Sequence, residues 1–115
     1  MAASGLQLEV REEERAFIVV ARGELDVASA QEFASVLDSA VTSMRPVVAI
    51  DLSGLQFIDS SGLAALIKAD QEAKSAGRRL TVVRGPRQVQ QLLDLTGFSE
   101  RLELVDSLDE LPLGG

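Results

Sequence analysis

The sequence contains no cysteine and no histidine, and its 115 residues include neither tryptophan nor tyrosine. Without these side chains the chain cannot form disulfides, thiol nucleophiles, zinc sites of the usual Cys/His kind or an imidazole general base. Most familiar hydrolase mechanisms are thereby excluded, and no other set of residues pairs a nucleophile with a base. We therefore predict that the protein is not an enzyme and that it uses neither a metal nor another cofactor.

Basic residues are also scarce, since 11 Lys and Arg stand against 18 Asp and Glu, for a formal net charge of −7. Nucleic-acid affinity comes mainly from clustered basic side chains, so direct binding to nucleic acid is not expected. No apolar run approaches the roughly 20 residues that cross a bilayer, and "MAASGLQLEV" lacks the basic start and apolar centre of a secretory signal. We expect a cytoplasmic protein with no membrane partner. Because no long apolar stretch stands out, we also expect a monomer when the protein is free.

What the sequence does contain is an alternation of strand and helix patterns. Two apolar segments on either side of the charged "REEER" (residues 11–15) predict a β-hairpin. A helical period then covers Val27–Met44, with Asp26 as the predicted N-cap. The apolar "PVVAIDL" (46–52) predicts a central parallel strand, followed by a turn at "SGLQF" and a helix that begins near Leu63.

The last third of the chain continues this alternation. "RRLTVV" predicts a strand, "GPRQVQQLLDLTG" a helix, "RLELV" a short strand and "DSLDEL" a last helix capped by Asp106, before a frayed tail at residues 112–115. The order β-β-α-β-α-β-α-β-α predicts a single α/β domain over residues 1–115, with helices packed on a mostly parallel sheet. In such sheets function gathers in the loops after the carboxyl ends of the strands, where "GELD" (23–26) and "DSSG" (59–62) lie.

The segment "FIDSSGLAALIK", residues 57–68, supports two interpretations. Ser60 or Ser61 would lie at the N-terminus of a helix, where unpaired N–H groups favour a capping hydroxyl. The same N–H groups tolerate a phosphate, and a phosphoryl group on Ser60 would add about −1.5 to −2 charges beside Asp59. Gly62 has no Cβ and would let a partner approach the backbone closely. Since the chain has no phosphate-binding loop of its own, any phosphate would be placed there by another enzyme.

Three acidic residues near these loops, Glu24, Asp26 and Asp59, could also form a pocket for a divalent metal or a phosphoacceptor aspartate. The hairpin at the start disagrees with the alternating β-α order of a receiver-type phosphorylation domain. Such a domain would also want a lysine where this sequence offers Arg84. We therefore predict no metal site here.

Three segments of the chain resemble the STAS domain family, and within it the bacterial anti-sigma factor antagonists. They are "ARGELDVASA" (21–30), "VVAIDLSGLQFIDSSGLAALI" (47–67) and "GRRLTVVRGPRQVQQLLDLTGF" (77–98), and the second is the most specific. Together with their spacing they extend the resemblance over nearly the whole chain. The resemblance implies a STAS-like fold, a mixed, mostly parallel sheet of four or five strands with about four helices packed on it.

The resemblance also implies a mechanism of partner switching. In this family the unphosphorylated antagonist binds an anti-sigma factor that is itself a serine kinase, and the sigma factor is freed. Phosphorylation of a serine in the motif separates the complex, and a serine phosphatase resets it. The phosphorylated serine follows the aspartate of the motif, which makes it Ser60 here, with Ser61 as the secondary candidate. The residues that match the partner-facing surface are Glu24, Asp26, Asp59, Ser61 and Gly62.

The resemblance leaves an alternative that keeps the fold without the switch. STAS domains also serve as structural subunits of lipid-transport complexes or of stress-signalling scaffolds, and these often depart from D-S-S-G. This sequence departs from the switching pattern at no position that we identify, so we predict an anti-sigma factor antagonist. The role of Asp26 stays divided between helix cap and partner contact.

Overall fold

The computed structural model describes residues 5–113. They form five strands and three α-helices, in the order β1 (Leu6–Glu12), β2 (Ala16–Leu25), α1 (Ala30–Thr42), β3 (Val47–Ile58), α2 (Ser60–Ser75), β4 (Arg79–Val83), α3 (Arg87–Leu95) and β5 (Glu103–Val105). The strands form one sheet in the order β1-β2-β3-β4-β5, in which only β1 runs antiparallel to its neighbour. The predicted mixed α/β sheet is confirmed, with three α-helices within residues 5–113 instead of about four.

The three α-helices pack on one face of the sheet. Their apolar stripes meet the alternate strand residues that point to that face, because a strand presents every second side chain to the same side. The largest side chains that are completely buried in this core are Leu25, Phe33, Leu37, Ile50, Leu52, Leu55, Leu66 and Leu93. Because β2 and β3 run parallel, the loops that follow them both emerge at the carboxyl edge of the sheet.

The opposite face of the sheet is covered in part by the end of the chain. On this face the strands present a second, smaller apolar cluster, which includes Ile18 and Val20. It packs against Leu108, Leu111 and Leu113. The predicted last helix is a single 3-10 turn, Leu108–Glu110, and its cap is Ser107 instead of Asp106, since the Ser107 hydroxyl accepts the Asp109 N–H at 3.3 Å.

The predicted frayed tail at residues 112–115 therefore includes a residue that packs on the sheet, Leu113. Residues 114 and 115 lie outside the described part of the chain. Within residues 5–113, none of the helices is both long and apolar enough to cross a bilayer.

Strand β3 continues through the segment "SGLQF", for which the sequence predicts a turn. The reason is pairing with β2: Leu55 is the register partner of Gly23, and Phe57 is that of Glu24. The register is irregular at two places, between Val20 and Arg22 and between Gly23 and Glu24. Leu55 nevertheless stays buried in the core. The extension carries the residues that follow Ile58 to the carboxyl edge, beside the end of β2.

Candidate functional site

Two loops meet at the carboxyl edge of the sheet, one after β2 and one after β3. Leu25 and Ile58, the last residues of these strands, are register partners. The Asp59 N–H donates to the Leu25 carbonyl at 3.0 Å, which fixes the start of the second loop against the end of the first. The structure therefore brings "GELD" and "DSSG" together. We call residues 24–29 and 56–62 the switch edge.

The first loop is held by a serine that the sequence analysis did not single out. Ser29 is fully buried, its hydroxyl donates to the Glu24 carbonyl at 3.0 Å, and it accepts the Asp26 N–H at 3.1 Å. A serine three residues after an aspartate is the signal that could have identified this turn, because both side chains readily bond nearby backbone groups. These two hydrogen bonds tie the start of the loop to the buried Ser29.

Asp26 is not the cap of α1, which corrects the sequence prediction. The helix begins at Ala30, and Ser29 occupies the N-cap position without making a side-chain capping bond. The Asp26 carboxylate instead accepts the Ala28 N–H at 3.0 Å and closes the turn that precedes the helix. Because this turn occupies residues 26–29, the helix begins later than predicted. Asp26 is partly exposed at the switch edge.

Asp59 is the N-cap of α2, a role that the sequence left to Ser60 or Ser61. One carboxylate oxygen, Oδ1, accepts the N–H groups of Ser61 at 2.9 Å and Gly62 at 3.3 Å. Asp59 has extended backbone angles, and its negative charge lies at the positive end of the helix dipole. The helix consequently begins at Ser60, before the predicted start near Leu63.

The two serines of the motif differ in exposure. Ser60 is exposed and Ser61 is half-buried, and within residues 5–113 neither hydroxyl forms a hydrogen bond. Because Asp59 already caps the helix, the cap does not depend on the Ser60 hydroxyl. Glu24, on the adjacent strand, is exposed as well.

Gly62 is buried, and the missing Cβ serves contacts within the chain. A Cβ at this position would lie 2.5 Å from Leu25 Cγ and 3.1 Å from Ile58 Cγ1. Glycine therefore lets the first turn of α2 lie directly on the ends of β2 and β3. This gives Gly62 a packing role that the sequence did not indicate, while its predicted contact with a partner stays a prediction.

Replacing Gly62 with alanine is expected to lower the free energy of unfolding. Alanine favours a helix over glycine by about 1 kcal/mol, but the crowding of a buried Leu25 is expected to cost about 1–3 kcal/mol. Urea unfolding followed by circular dichroism would measure the difference. The matched control is Ala64→Gly, at an exposed position of the same helix, which should cost about 1 kcal/mol through propensity alone. An increase in stability of that size for Gly62→Ala would contradict the packing role.

The acidic residues of the switch edge do not gather around a common point. Within residues 5–113, no group of three or more Asp, Glu, His or Cys side chains could hold a metal ion. The carboxylates of Asp26 and Asp59 each accept backbone N–H groups of their own loop. The edge is therefore a hydrogen-bonded surface on which Ser60 is exposed.

The family model of the STAS domain matches residues 7–111. The chain therefore belongs to the STAS domain family. An anti-sigma factor antagonist from Mycobacterium paratuberculosis has a solved structure that is 26% identical in sequence. It has a TM-score of 0.83 and covers 96% of this chain and 94% of that chain. The described structure thus resembles an anti-sigma factor antagonist along nearly its whole length.

Two further relatives extend the comparison. The Bacillus cell fate determinant SpoIIAA in its phosphorylated form is 17% identical with a TM-score of 0.69, over 91% of this chain and 94% of that chain, a likeness of fold alone. The curated intermembrane phospholipid transport system binding protein MlaB of Haemophilus influenzae is 39% identical over 62 residues. That match spans 54% of this chain and 59% of MlaB.

Proposed function

We propose that the protein is an anti-sigma factor antagonist that switches partners through Ser60. In its unphosphorylated form it binds an anti-sigma factor serine kinase and so frees a sigma factor, and phosphorylation of Ser60 releases it. The observation that carries the proposal is the exposed Ser60 hydroxyl, which makes no hydrogen bond within residues 5–113 while Asp59 caps the helix in its place. Ser61, half-buried on the same turn, is the secondary candidate.

The local charges explain why one phosphate would be enough. It would add about −1.5 to −2 charges to an edge that already carries Glu24, Asp26 and Asp59. The sequence places no Lys or Arg between residues 46 and 67, so this segment offers no cation to neutralise the phosphate. The N–H groups of Ser61 and Gly62 are already taken by Asp59. The new charge would therefore face the partner and repel it.

The switch needs no change of fold. Adding the phosphate to Ser60 breaks no hydrogen bond of the described residues, and phosphorylated SpoIIAA shares this fold. A serine phosphatase would restore the binding form. We further propose that the protein acts in the cytoplasm as a monomer when free, without nucleic acid or a membrane as direct partners.

The proposal is tested by mass spectrometry of the protein recovered from its own cells during growth and under stress. Fragmentation should localise a phosphate to Ser60, and the modified fraction should differ between the two conditions. Cells that carry Ser60→Ala provide the control, because the modified peptide should disappear. An unmodified Ser60 in every condition, or a phosphate confined to Ser61, would reject the assignment.

The partial match to MlaB favours one second candidate, a structural subunit of a lipid-transport complex. Such a subunit would stay bound to its partners whether or not ATP is present. Purification of the tagged protein from cells, with its complexes challenged by ATP, separates the two roles. ATP-dependent release of a kinase supports the switch, whereas an ATP-insensitive complex that also forms with Ser60→Asp supports the structural role.

A further inference from the structure

Phenylalanine supplies all of the aromatic residues in the chain, and three of its four copies lie in the core. Phe17, Phe33 and Phe98 are 6%, 0% and 7% exposed, whereas Phe57 is 48% exposed. Phe57 lies near the carboxyl end of β3, as the register partner of Glu24. The sheet therefore leaves one apolar ring in contact with solvent, three residues before Ser60.

A second exposed apolar side chain lies at the same edge. Val27 is 76% exposed and follows Asp26 in the loop after β2, the loop that the Asp59–Leu25 hydrogen bond joins to the end of β3. Single exposed apolar residues are ordinary on a protein surface. An aromatic ring at the end of a strand and a valine on the adjoining loop, near an exposed serine, are typical of a surface that a partner buries.

The charged residues within the switch edge have a single sign. Glu24, Asp26 and Asp59 are the charged residues of the switch edge, which contains no Lys or Arg. The preceding cation in the chain, Arg22, forms an ion pair with Glu9 at 3.2 Å. A phosphate on Ser60 would therefore add to charges of the same sign, next to the two apolar side chains.

We propose that Phe57, together with Val27, forms an apolar anchor that enters an apolar pocket of the anti-sigma factor kinase, which must contact this edge to reach Ser60. This inference rests on the proposed function and adds the source of its affinity. It also couples binding to the switch, because a phosphate on Ser60 would press a dianion against the pocket that receives Phe57. The same contact then provides affinity and makes the complex sensitive to phosphorylation.

The test uses the purified full-length chain and the purified serine kinase that phosphorylates Ser60. We expect Phe57→Ala to weaken binding about tenfold or more, as for an aromatic residue at the centre of an interface, and Val27→Ala to weaken it less. The control is Leu95→Ala, which removes an apolar side chain that is 81% exposed at the end of α3. It should leave the affinity unchanged. Melting curves would confirm that each variant is folded.

A second measurement does not depend on a truncated side chain. Since the chain has no tryptophan, Phe57→Trp introduces a unique fluorophore that keeps the aromatic surface. Its emission should shift to the blue and lose its quenching by acrylamide when the kinase binds, after subtraction of the spectrum of the parent complex. Leu95→Trp should show neither change.

Two outcomes would overturn the anchor while leaving the switch intact. They are parent-like affinity of Phe57→Ala for a kinase that binds and phosphorylates the parent, or an unchanged emission of Phe57→Trp in that complex. If no serine kinase bound or phosphorylated the parent chain, the proposed function and the anchor would both be overturned.

Discussion

Replacing Ser60 with aspartate is expected to weaken binding to the anti-sigma factor kinase by roughly a hundredfold. A negative charge placed in an interface built for a neutral hydroxyl costs about 3 kcal/mol, and the switch edge contains no Lys or Arg that could compensate it. Ser60→Ala should bind like the parent but resist release by ATP, because it cannot accept a phosphate. Isothermal titration calorimetry or surface plasmon resonance with the purified kinase would measure the affinity of both variants.

The control for this experiment is Ser39→Asp, which adds the same charge at an exposed position of α1. It should change the affinity little. If Ser60→Asp and Ser60→Ala both bound the kinase and cycled with ATP as the parent does, the switch would not operate through this residue. Equal losses for Ser39→Asp and Ser60→Asp would indicate a general effect of net charge.

Replacing Phe33 with alanine is expected to have the largest effect on stability. Phe33 is fully buried between α1 and the sheet, and its N–H donates to the Ser29 carbonyl at 3.1 Å, where the switch edge joins the helix. Truncation of a buried phenylalanine costs about 3–5 kcal/mol, a large share of the 5–15 kcal/mol by which a typical domain is stable. Because the chain lacks tryptophan and tyrosine, urea unfolding should be followed by circular dichroism.

The matched control for Phe33→Ala is Leu95→Ala. Leu95 is 81% exposed, so truncating its side chain removes no core contact. Its effect should stay within about 0.5 kcal/mol. Similar losses for the two variants would mean that the core of α1 does not hold the domain together. A folded Phe33→Ala that bound the kinase poorly would show that the packing of α1 also maintains the shape of the switch edge.

Local patterns in the sequence were enough to predict the architecture. The hairpin, the alternation of strands and helices and the parallel sheet follow from which side of each element is apolar, and that information lies within each segment. The serine motif could also be placed correctly, since a helical stretch begins directly after D-S-S-G. Its position after a strand placed it, like "GELD", in a loop at the carboxyl edge of the sheet, and the structure joins the two loops through the hydrogen bond from Asp59 to Leu25.

The assignment of roles within the motif could not be read from the sequence. Asp59, Ser60 and Ser61 are all good capping residues, so local propensity does not choose among them. The choice is made by the bond from the Asp59 N–H to the Leu25 carbonyl, which leaves Asp59 extended with its carboxylate over the first turn of α2. That bond joins segments far apart in the chain, and it frees the Ser60 hydroxyl for another use.

The tertiary structure decided the remaining features for the same reason. Gly62 is required by contacts with Leu25 and Ile58, the segment "SGLQF" becomes strand through pairing with β2, and Leu113 is held by the far face of the sheet. Periodicity by itself determined which residues of each element are buried and hence the class of fold. Caps, close approaches and strand ends depend on partners that come together only in the folded chain, and only the folded structure could assign them.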